Sequence, residues 1–250
     1  MEYNVVYYEE IDSTNTQAKR MAKTGAEHGL IVTADKQSAG KGRRGRAWES
    51  PAGMNLYFSI LLRPEFEPDK APMLTLVMAY SVAKVIGAQE GLPVGIKWPN
   101  DLVLEKKKIC GILTEMELSE NQIADVVIGV GINVNTTEFP KELRDKATSL
   151  YLQKGCKVER ESLLQQILKE FGQQYERFLE IQDLSFLKDA YNQMLINKGK
   201  EVLVLEPGHE YQAKALGVNE KGELLVKKND GSVEAVFAGE VSVRGIYGYV

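Results

Sequence analysis

The segment between residues 37 and 48 combines glycines with long cations, a composition that suits the binding of an anion. It reads Gln-Ser-Ala-Gly-Lys-Gly-Arg-Arg-Gly-Arg-Ala-Trp. Glycine lets the backbone approach a ligand closely, and guanidinium groups bind anionic oxygens bidentately. One interpretation is a phosphate or carboxylate site, and the other is a solvated basic loop that touches RNA. The glycine spacing also matches a dinucleotide fingerprint, but Trp-Glu-Ser-Pro-Ala-Gly follows and cannot begin the helix that this motif requires.

A second polar cluster, Lys97-Trp98-Pro99-Asn100-Asp101, is predicted to lie where a strand ends. Proline cannot donate to a sheet ladder, so the charged side chains fall in the loop that follows. Such a cluster is either part of a site or an ordinary turn around a packed tryptophan. Seven residues later, Lys108 enters an apolar run, and its ammonium either reaches solvent or is fixed toward a ligand anion.

Two further segments carry neutral polar groups. Asp12-Ser13-Thr14-Asn15 opens a helical stretch, where hydroxyl and amide groups either cap the helix or face a ligand. Residues 129–135 are interpreted as a strand that runs into a glycine-flanked amide. The two histidines, His28 and His209, are far apart in sequence and are not paired with Asp or Cys as in a metal site or a nucleophilic triad. We therefore expect no dedicated metal site.

These segments must be positioned by the strands and helices that alternate over the first 200 residues. Apolar residues recur at helical spacing most clearly in residues 72–89. Residues 55–62 form a nearly continuous apolar strand, which is typical of one buried on both faces. The other predicted strands are residues 5–8, 30–34, 95–98, 102–104, 109–118 and 122–129, and the other helices are residues 16–24, 159–178 and 183–195.

From Gly199 onward the apolar period drops to two, which indicates an all-β module. Five short strands without an intervening helix predict a small β-barrel. Their bounds are residues 201–205, 210–216, 223–227, 233–237 and 241–244. We expect two domains, residues 1–198 and 199–250. The fold class is α/β (α+β), with a mixed β-sheet flanked by helices in the first domain.

Composition excludes several classes of protein. The 250 residues are 44% hydrophobic, close to the roughly 45–50% of globular domains, which excludes a disordered chain. The formal net charge of −4 argues against a protein that coats nucleic acid. Apolar stretches fall short of the roughly 20 residues that span a bilayer, and no signal peptide is visible. Two cysteines, Cys110 and Cys156, are too few for a disulfide framework, so we expect a cytoplasmic protein.

Together, and in this order, the motifs resemble those of biotin protein ligases. Residues 13–15, 37–48 and 97–101 carry the resemblance with residues 53–57, 108–113 and 131–133, and it continues in residues 239–244. It covers almost the whole chain and implies that the C-terminal module is an SH3-like β-barrel. Lys41 replaces the commoner arginine of the loop and supplies a cation without a guanidinium fork. Bifunctional members carry an N-terminal DNA-binding domain, and because only eleven residues precede Asp12 we expect a monofunctional ligase.

The resemblance implies an ATP-dependent ligase. Members of the family activate biotin as biotinyl-5′-AMP, release pyrophosphate, and transfer biotin to a specific lysine of a biotin carboxyl carrier protein domain. ATP and biotin would be the substrates, with Mg²⁺ accompanying the nucleotide. A homodimer is expected from family habit, and neither DNA nor a membrane is an expected partner.

The resemblance also assigns roles to residues of this chain. Lys108 and Arg43 would lie near the biotin carboxylate and the α-phosphate, and Asp101 would help the acceptor lysine lose its proton. Biotin would contact Ser13, Thr14, Asn15, Gln37, Lys41, Gly42, Arg43 and Lys108. ATP and the adenylate would contact Arg43, Arg44, Arg46, Trp48, Lys97, Asn100 and Asn133.

The sequence leaves two other functions open. A lipoate or octanoyl transferase is a related acyl-group enzyme, although the Lys-Trp-Pro-Asn-Asp segment together with the basic loop and the barrel favours biotin. An RNA-binding module that uses the loop and the barrel predicts an affinity that falls steeply with salt. Few aromatic residues lie near the loop for stacking on bases.

Overall fold

The computed structural model describes residues 1–206, 209–238 and 242–245. The strands of its larger sheet are β1 (Asn4–Ile11), β2 (Leu30–Gln37), β3 (Leu56–Leu62), β4 (Gly95–Lys97), β5 (Asp101–Leu104), β6 (Lys107–Ser119) and β7 (Gln122–Ile132). Their order across the sheet is β1-β2-β3-β7-β6-β5-β4. β1 and β2 are parallel, and the other neighbouring pairs are antiparallel. The predicted mixed sheet is confirmed.

Helices cover both faces of this sheet. They are α1 (Thr14–Lys23), α2 (Met73–Glu90), α3 (Leu150–Lys154), α4 (Arg160–Ile181) and α5 (Lys188–Met194). Every residue of β3 is buried, and its side chains alternate between two apolar clusters. Ile60 belongs to the cluster that contains the residues of α2, whereas Leu61 belongs to the cluster that contains those of α1. The nearly continuous apolar sequence of β3 follows from this two-sided burial.

Helix α2 is apolar on nearly all sides because it packs between the sheet and α4. Its buried residues extend from Met73 to Ile86. The expectation that every apolar stretch is too short to span a bilayer is wrong for one helix: among the described residues, the segment Pro68–Glu90 is long and apolar enough, and 72% of its most apolar window is buried inside the fold. A helix that is hydrophobic all round is typical of the core of a globular protein as well as of a membrane span.

The second sheet contains β8 (Glu201–Glu206), β9 (His209–Val218), β10 (Leu224–Lys227), β11 (Val233–Val236) and β12 (Ser242–Gly245). It is antiparallel, with the order β11-β10-β9-β8-β12. The small all-β C-terminal module is therefore confirmed, while residues 207–208 and 239–241, which include part of one motif, lie outside the described residues. This sheet contacts the first part of the chain where the indole nitrogen of Trp98 donates to the carbonyl of Gly222 at 3.0 Å.

Several predicted bounds are wrong, and tertiary hydrogen bonds explain two of them. Helix α1 begins at Thr14 because the amide of Thr14 donates to the side chain of Gln37 at 2.8 Å, which replaces a local cap. Helix α5 is shorter than the predicted residues 183–195 because the amide of Leu184 donates to the carbonyl of Glu220 instead. The short helix α3 was not predicted at all.

Candidate active site

A cavity opens beside the start of α1, the middle of β6 and the C-terminal end of β7, and it encloses about 450 Å³ including its mouth. The loop after β2 lies over one side of it. The residues that line it are Ser13, Thr14, Asn15, Gln37, Lys41, Gly42, Arg43, Trp48, Asn100, Lys108, Gly111, Ile112, Leu113, Gly129, Val130 and Gly131. All eight residues that were predicted to contact biotin are in this set, and three of those predicted to contact ATP are as well.

Three glycines in neighbouring strands leave the floor of the cavity without side chains. Gly111 of β6 pairs directly with Gly131 of β7, and Gly129 lies two residues away. A Cβ atom on Gly129 would stand 1.9 Å from the Asn15 side-chain oxygen, and one on Gly131 would stand 2.6 Å from the indole nitrogen of Trp48. These glycines were not predicted as site residues, although glycine inside an apolar strand often marks a close approach by another group.

One wall of the cavity is neutral and strongly hydrogen-bonded. We call it the polar wall and define it as the side chains of Ser13, Thr14, Asn15 and Gln37. The Gln37 side-chain oxygen accepts from the Thr14 amide at 2.8 Å and from its hydroxyl at 3.2 Å, and the Gln37 side-chain nitrogen donates to Ser50 Oγ at 2.8 Å. Ser13 stands at the N-cap position of α1, but its hydroxyl makes no capping bond. The alternative that Ser13 merely caps the helix is therefore wrong.

Asn15 is fixed from below the polar wall. Its side-chain nitrogen donates to Glu115 Oε2 at 2.8 Å and to the Leu113 carbonyl at 3.3 Å. Its side-chain oxygen lies 2.6 Å from the hydroxyl of Ser59, which is fully buried in β3. Burial raises the pKa of Glu115, but the hydrogen bonds from Asn15 and Lys19 outweigh burial and bring that pKa below its ordinary value of 4.5. Ser59 and Glu115 were not predicted, because nothing local in the sequence links them to Asn15.

The glycine- and arginine-rich segment forms a hairpin, which we call the basic hairpin and define as residues 37–50. Gln37 pairs with Ser50, and Lys41 pairs with Ala47. At the tip Arg44 has φ 57° and Gly45 has φ 70°, so two successive residues adopt the left-handed conformation that reverses the chain tightly. The glycines lead only into one 3₁₀ turn, Arg43–Gly45, and no α-helix lies between it and β3, so the objection to a dinucleotide fingerprint is confirmed.

Arg43 joins the basic hairpin to two other parts of the chain. Its guanidinium donates to the side-chain oxygen of Asn100 at 3.0 Å and to the carbonyl of Ala238 at 2.9 Å. Burial lowers the pKa of Arg43, and the neighbouring arginines act in the same direction, while Asp101 partly opposes them. Asn100 in turn donates through its amide nitrogen to the Ile112 carbonyl at 3.0 Å. Both ends of the Asn100 side chain are therefore engaged in positioning Arg43.

Lys108 is held between an acid and an aromatic ring. Its ammonium lies 2.6 Å from a carboxylate oxygen of Asp101 and 5.0 Å from the ring centroid of Trp48. The Trp48 indole nitrogen is buried and makes no hydrogen bond to the described residues. Lys108 is therefore fixed at the cavity and does not extend into solvent, so a donor and a cation stand side by side above the glycine floor.

Four of the residues predicted to contact ATP do not line the cavity. Arg44 and Arg46 are exposed on the basic hairpin. Lys97 is 6% exposed and pairs across the sheet with Asp101. Asn133 is also buried, and its side-chain nitrogen donates to the carbonyl of Thr148 at 3.1 Å. No group of three or more His, Cys, Asp or Glu side chains suited to a metal ion occurs in the described part of the chain.

Comparisons with known proteins relate most of the chain to one family. Residues 7–133 match the family model described as the biotin/lipoate A/B protein ligase family, and residues 199–244 match the biotin protein ligase C terminal domain. The bifunctional ligase/repressor BirA of Bacillus subtilis (strain 168) is 35% identical over 97% of this chain and 75% of its own length. The biotin--[acetyl-CoA-carboxylase] ligase of Paracoccus denitrificans is 28% identical over 94% of this chain and 98% of its own length.

A solved structure supports the same relationship. The biotin protein ligase from Aquifex aeolicus in complex with biotin and ATP aligns with a TM-score of 0.84 and 34% sequence identity, covering 97% of this chain and 99% of its own. An R40G mutant of the Aquifex aeolicus ligase in complex with biotin aligns equally well, with a TM-score of 0.84.

Proposed function

The chain belongs to the biotin protein ligase family, and we propose that the cavity between the polar wall and the basic hairpin is where it joins biotin to ATP. As in that family, the enzyme activates biotin with ATP and transfers it to a carboxylase. One observation carries the assignment of the site: neutral hydrogen-bonding groups and fixed cations line a single cavity above a floor of glycines.

The polar wall suits the ureido ring of biotin. A cyclic urea presents two N–H donors and one carbonyl acceptor, so its binding requires fixed groups of both kinds. Asn15, Thr14 and Gln37 supply them, and Ser13 adds a hydroxyl that is not used to cap the helix. The glycine floor leaves room for the flat bicycle, while Lys41 and Gly42 close the cavity from the hairpin side.

A second side of the cavity, which we call the cationic side and define as the side chains of Lys108 and Arg43, suits the first half-reaction. A carboxylate oxygen of biotin attacks the α-phosphorus of ATP, an oxygen–phosphorus bond forms, and pyrophosphate leaves with the electrons of the broken phosphoanhydride bond. Repulsion between the two anions is the main obstacle, so positioned cations lower the barrier. We assign this work to Lys108 and Arg43, because both are fixed at the cavity.

The nucleotide contacts are proposed residue by residue. Trp48 offers a buried indole N–H and a ring face at the cavity. Asn100 acts through Arg43, as its hydrogen bonds indicate. Arg44 and Arg46 stand on the exposed tip of the hairpin and are proposed to meet the phosphates only when a nucleotide is bound. Lys97 and Asn133 are buried, and we propose that they support, from behind, the residues that contact the nucleotide.

Asp101 is proposed to serve the second half-reaction. The acceptor lysine must lose a proton before its amine attacks the acyl carbon, and AMP then leaves as the carbon–oxygen bond breaks. Asp101 is ion-paired with Lys108 in this structure. When the ammonium of Lys108 turns toward the adenylate phosphate, the carboxylate becomes available for the incoming ammonium group of the acceptor.

Mg²⁺ is proposed to arrive with ATP. In proteins this ion is usually held by substrate phosphates and one or two carboxylates, so it would need no protein cage here. Asp101 does not line the cavity, but its carboxylate lies 2.6 Å from the Lys108 ammonium at the cavity, so Asp101 is the residue that would hold the ion. When bound, Mg²⁺ would neutralise phosphate charge.

We propose a homodimer in the cytoplasm, a carrier-protein domain of the carboxylase as the acceptor, and two domains at residues 1–198 and 199–250. The two cysteines are free, with Cys110 buried and Cys156 exposed, which fits a reducing compartment. A net charge of −4 supports the proposal that the chain does not itself bind DNA.

The test of the function is a transfer reaction followed by mass measurement of the acceptor. The chain, ATP, Mg²⁺ and biotin are incubated with a biotin carrier domain, and parallel reactions omit ATP or replace biotin with lipoate. We expect one ATP-dependent addition of biotin to the acceptor lysine and little addition of lipoate. Preferential transfer of lipoate, or transfer without ATP, would contradict the proposal.

A further inference from the structure

Glu115 lies outside the cavity lining but determines how Asn15 faces the cavity. The amide nitrogen of Asn15 has two hydrogens, and the carboxylate of Glu115 and the carbonyl of Leu113 accept both. An ionised carboxylate accepts hydrogen bonds and donates none. The Asn15 side chain therefore cannot rotate by half a turn without placing its oxygen against the carboxylate, and its nitrogen stays turned away from the ligand.

With both hydrogens of its side-chain nitrogen bound, which we call the anchor of Asn15, only the side-chain oxygen of Asn15 can bind a ligand. The oxygen lies 2.6 Å from Ser59 Oγ, and its second lone pair remains for a ligand. Gln37 is fixed in the opposite sense, because its oxygen already accepts twice from Thr14 while its nitrogen uses one of two hydrogens on Ser50. The polar wall thus presents an acceptor at Asn15 and a donor at Gln37.

We propose that Glu115 is a positioning residue that sets this hydrogen-bond polarity and so selects a ligand that presents an N–H to Asn15, as one edge of a cyclic urea does. The proposal rests on the proposed placement of biotin against the polar wall. Without Glu115, the side-chain amide of Asn15 can rotate by half a turn. Its N–H group would then face an N–H group of the ureido ring, and two donors cannot form a hydrogen bond. The variant then binds the ureido ring more weakly, whereas the reaction at the carboxylate of biotin, which is distant from this ring, is unaffected.

The chain supplies a matched control in Glu117. Both carboxylates belong to β6, two residues apart, and both bind the ammonium of Lys19, at 2.9 Å for Glu115 and 3.4 Å for Glu117. The side-chain amide of Asn15 binds Glu115, Leu113 and Ser59. Removing Glu117 therefore removes a similar charge and a similar ion pair without touching the anchor of Asn15.

The experiment measures binding and turnover of the full chain with two ligands, biotin and a biotin methylated on its ureido nitrogens. Glu115→Ala is expected to raise the Kd for biotin by about ten- to a hundredfold, the usual size of a lost hydrogen bond to a charged group. The preference for biotin over the methylated analogue should shrink in the same variant. The kcat for adenylate formation at saturating biotin should stay close to that of the unmodified chain, so the loss appears in KM.

Two more variants separate this role from a general structural one. Glu115→Gln keeps an acceptor oxygen and a similar volume, and we expect a loss of biotin affinity smaller than that of Glu115→Ala. Glu117→Ala should bind biotin like the unmodified chain. If Glu115→Ala does not fold, Glu115→Gln carries the test through its weaker preference for biotin over the analogue.

The outcomes distinguish this inference from the proposed placement of biotin. If Gln37→Ala weakens biotin binding but the Glu115 variants match Glu117→Ala in affinity and preference, the role of Glu115 is wrong and the site stands. If the unmodified chain binds the methylated analogue as well as biotin, or Gln37→Ala has no effect on biotin binding, the placement and the inference both fail.

Discussion

The two sides of the cavity are built on opposite principles. On the polar wall, the hydrogen-bonding groups of Asn15 and Gln37 are engaged almost completely by other groups of the protein. On the cationic side, Lys108 and Arg43 are held by groups that an anion can replace, namely the carboxylate of Asp101, the amide of Asn100 and the carbonyl of Ala238.

This difference separates affinity from rate. A saturated network has no freedom to rearrange, so it recognises a neutral group at little entropic cost and contributes equally before and during reaction. A cation with an internal counter-ion can exchange that partner for the charge that develops on the substrate, and this interaction strengthens in the transition state. We therefore expect changes on the polar wall to affect KM, and changes on the cationic side to affect kcat.

The largest expected effect comes from Lys108→Ala. Loss of an electrostatic donor at the developing charge is worth about 10²–10³-fold in kcat. Adenylate formation, measured as release of pyrophosphate, should fall by that factor, while biotin affinity changes far less. Lys106→Ala is the control, since Lys106 lies in the same lysine-rich turn and is exposed. A loss of biotin affinity as large as the loss of rate would contradict the claim that the cationic side affects kcat while the polar wall affects KM.

The second effect tests the polar wall by a substitution in the glycine floor of the cavity. Gly129→Ala places a Cβ atom 1.9 Å from the side-chain oxygen of Asn15, so Asn15 must move. We expect at least a tenfold weaker affinity for biotin, with a loss of about 1–3 kcal/mol in the free energy of unfolding. Isothermal titration and denaturant unfolding measure the two quantities.

A matched glycine sharpens this second test. Gly87 lies within α2, and the nearest atom to an added Cβ is the carbonyl oxygen of Leu92 at 3.6 Å, an ordinary contact. Gly87→Ala should leave biotin binding unchanged and stabilise the protein by about 0.5–1 kcal/mol, since glycine weakens a helix interior. Equal biotin affinity in Gly129→Ala and the unmodified chain would show that Asn15 is not a contact of the ligand.

The third effect concerns retention of the intermediate. Arg43→Gly removes the bonds from the basic hairpin to Asn100 and Ala238, so the hairpin should hold the adenylate less firmly. For each adenylate formed, we expect roughly tenfold more label on unrelated proteins added to the reaction, the size of one lost charged hydrogen bond. Arg44→Gly should have a smaller effect because Arg44 is exposed and in the left-handed conformation, which glycine adopts freely.

The residues of the cationic side could be named as candidates from the sequence because of their residue types. Interleaved glycines and arginines, and a lysine entering an apolar strand, suit an anion site, although the same residue types also fit a solvated basic loop and a lysine that reaches solvent. Their partners were not predictable. Arg43 binds the carbonyl of Ala238, which is 195 residues away, and any residue can supply a backbone carbonyl.

The polar wall was assigned only through the family resemblance. Serine, threonine and asparagine at the start of a helix are the usual capping residues, so their types alone do not reveal a site. The residues that fix them lie far along the chain: Asn15 binds Glu115 at a separation of 100 residues and Ser59 at a separation of 44. The strand pattern of β6 predicts which face Glu115 occupies, but the register that brings it to Asn15 is a property of the whole sheet.

The smallest expected effect measures the charge beneath the polar wall. The pKa of Glu115 in the folded chain lies below its ordinary value of 4.5, because the hydrogen bonds from Asn15 and Lys19 outweigh burial. A carboxyl with a depressed pKa contributes stability above its unfolded pKa, and this contribution is lost as the pH falls through the folded pKa. The loss should begin near pH 4.5 and continue below it.

In Glu115→Gln this contribution is absent at every pH, so the difference in unfolding free energy between the two proteins should shrink as the solution becomes more acidic. We expect a difference at neutral pH on the order of 1 kcal/mol, since the carboxylate is partly exposed and solvent weakens its pairing with Lys19. Denaturant unfolding of both proteins at a series of pH values from 3 to 7 measures it. A difference that stays constant across this range would show that the carboxylate is not held in its ionised form. Glu115 would then not fix Asn15, and the contrast between a fixed polar wall and an exchangeable cationic side would be wrong.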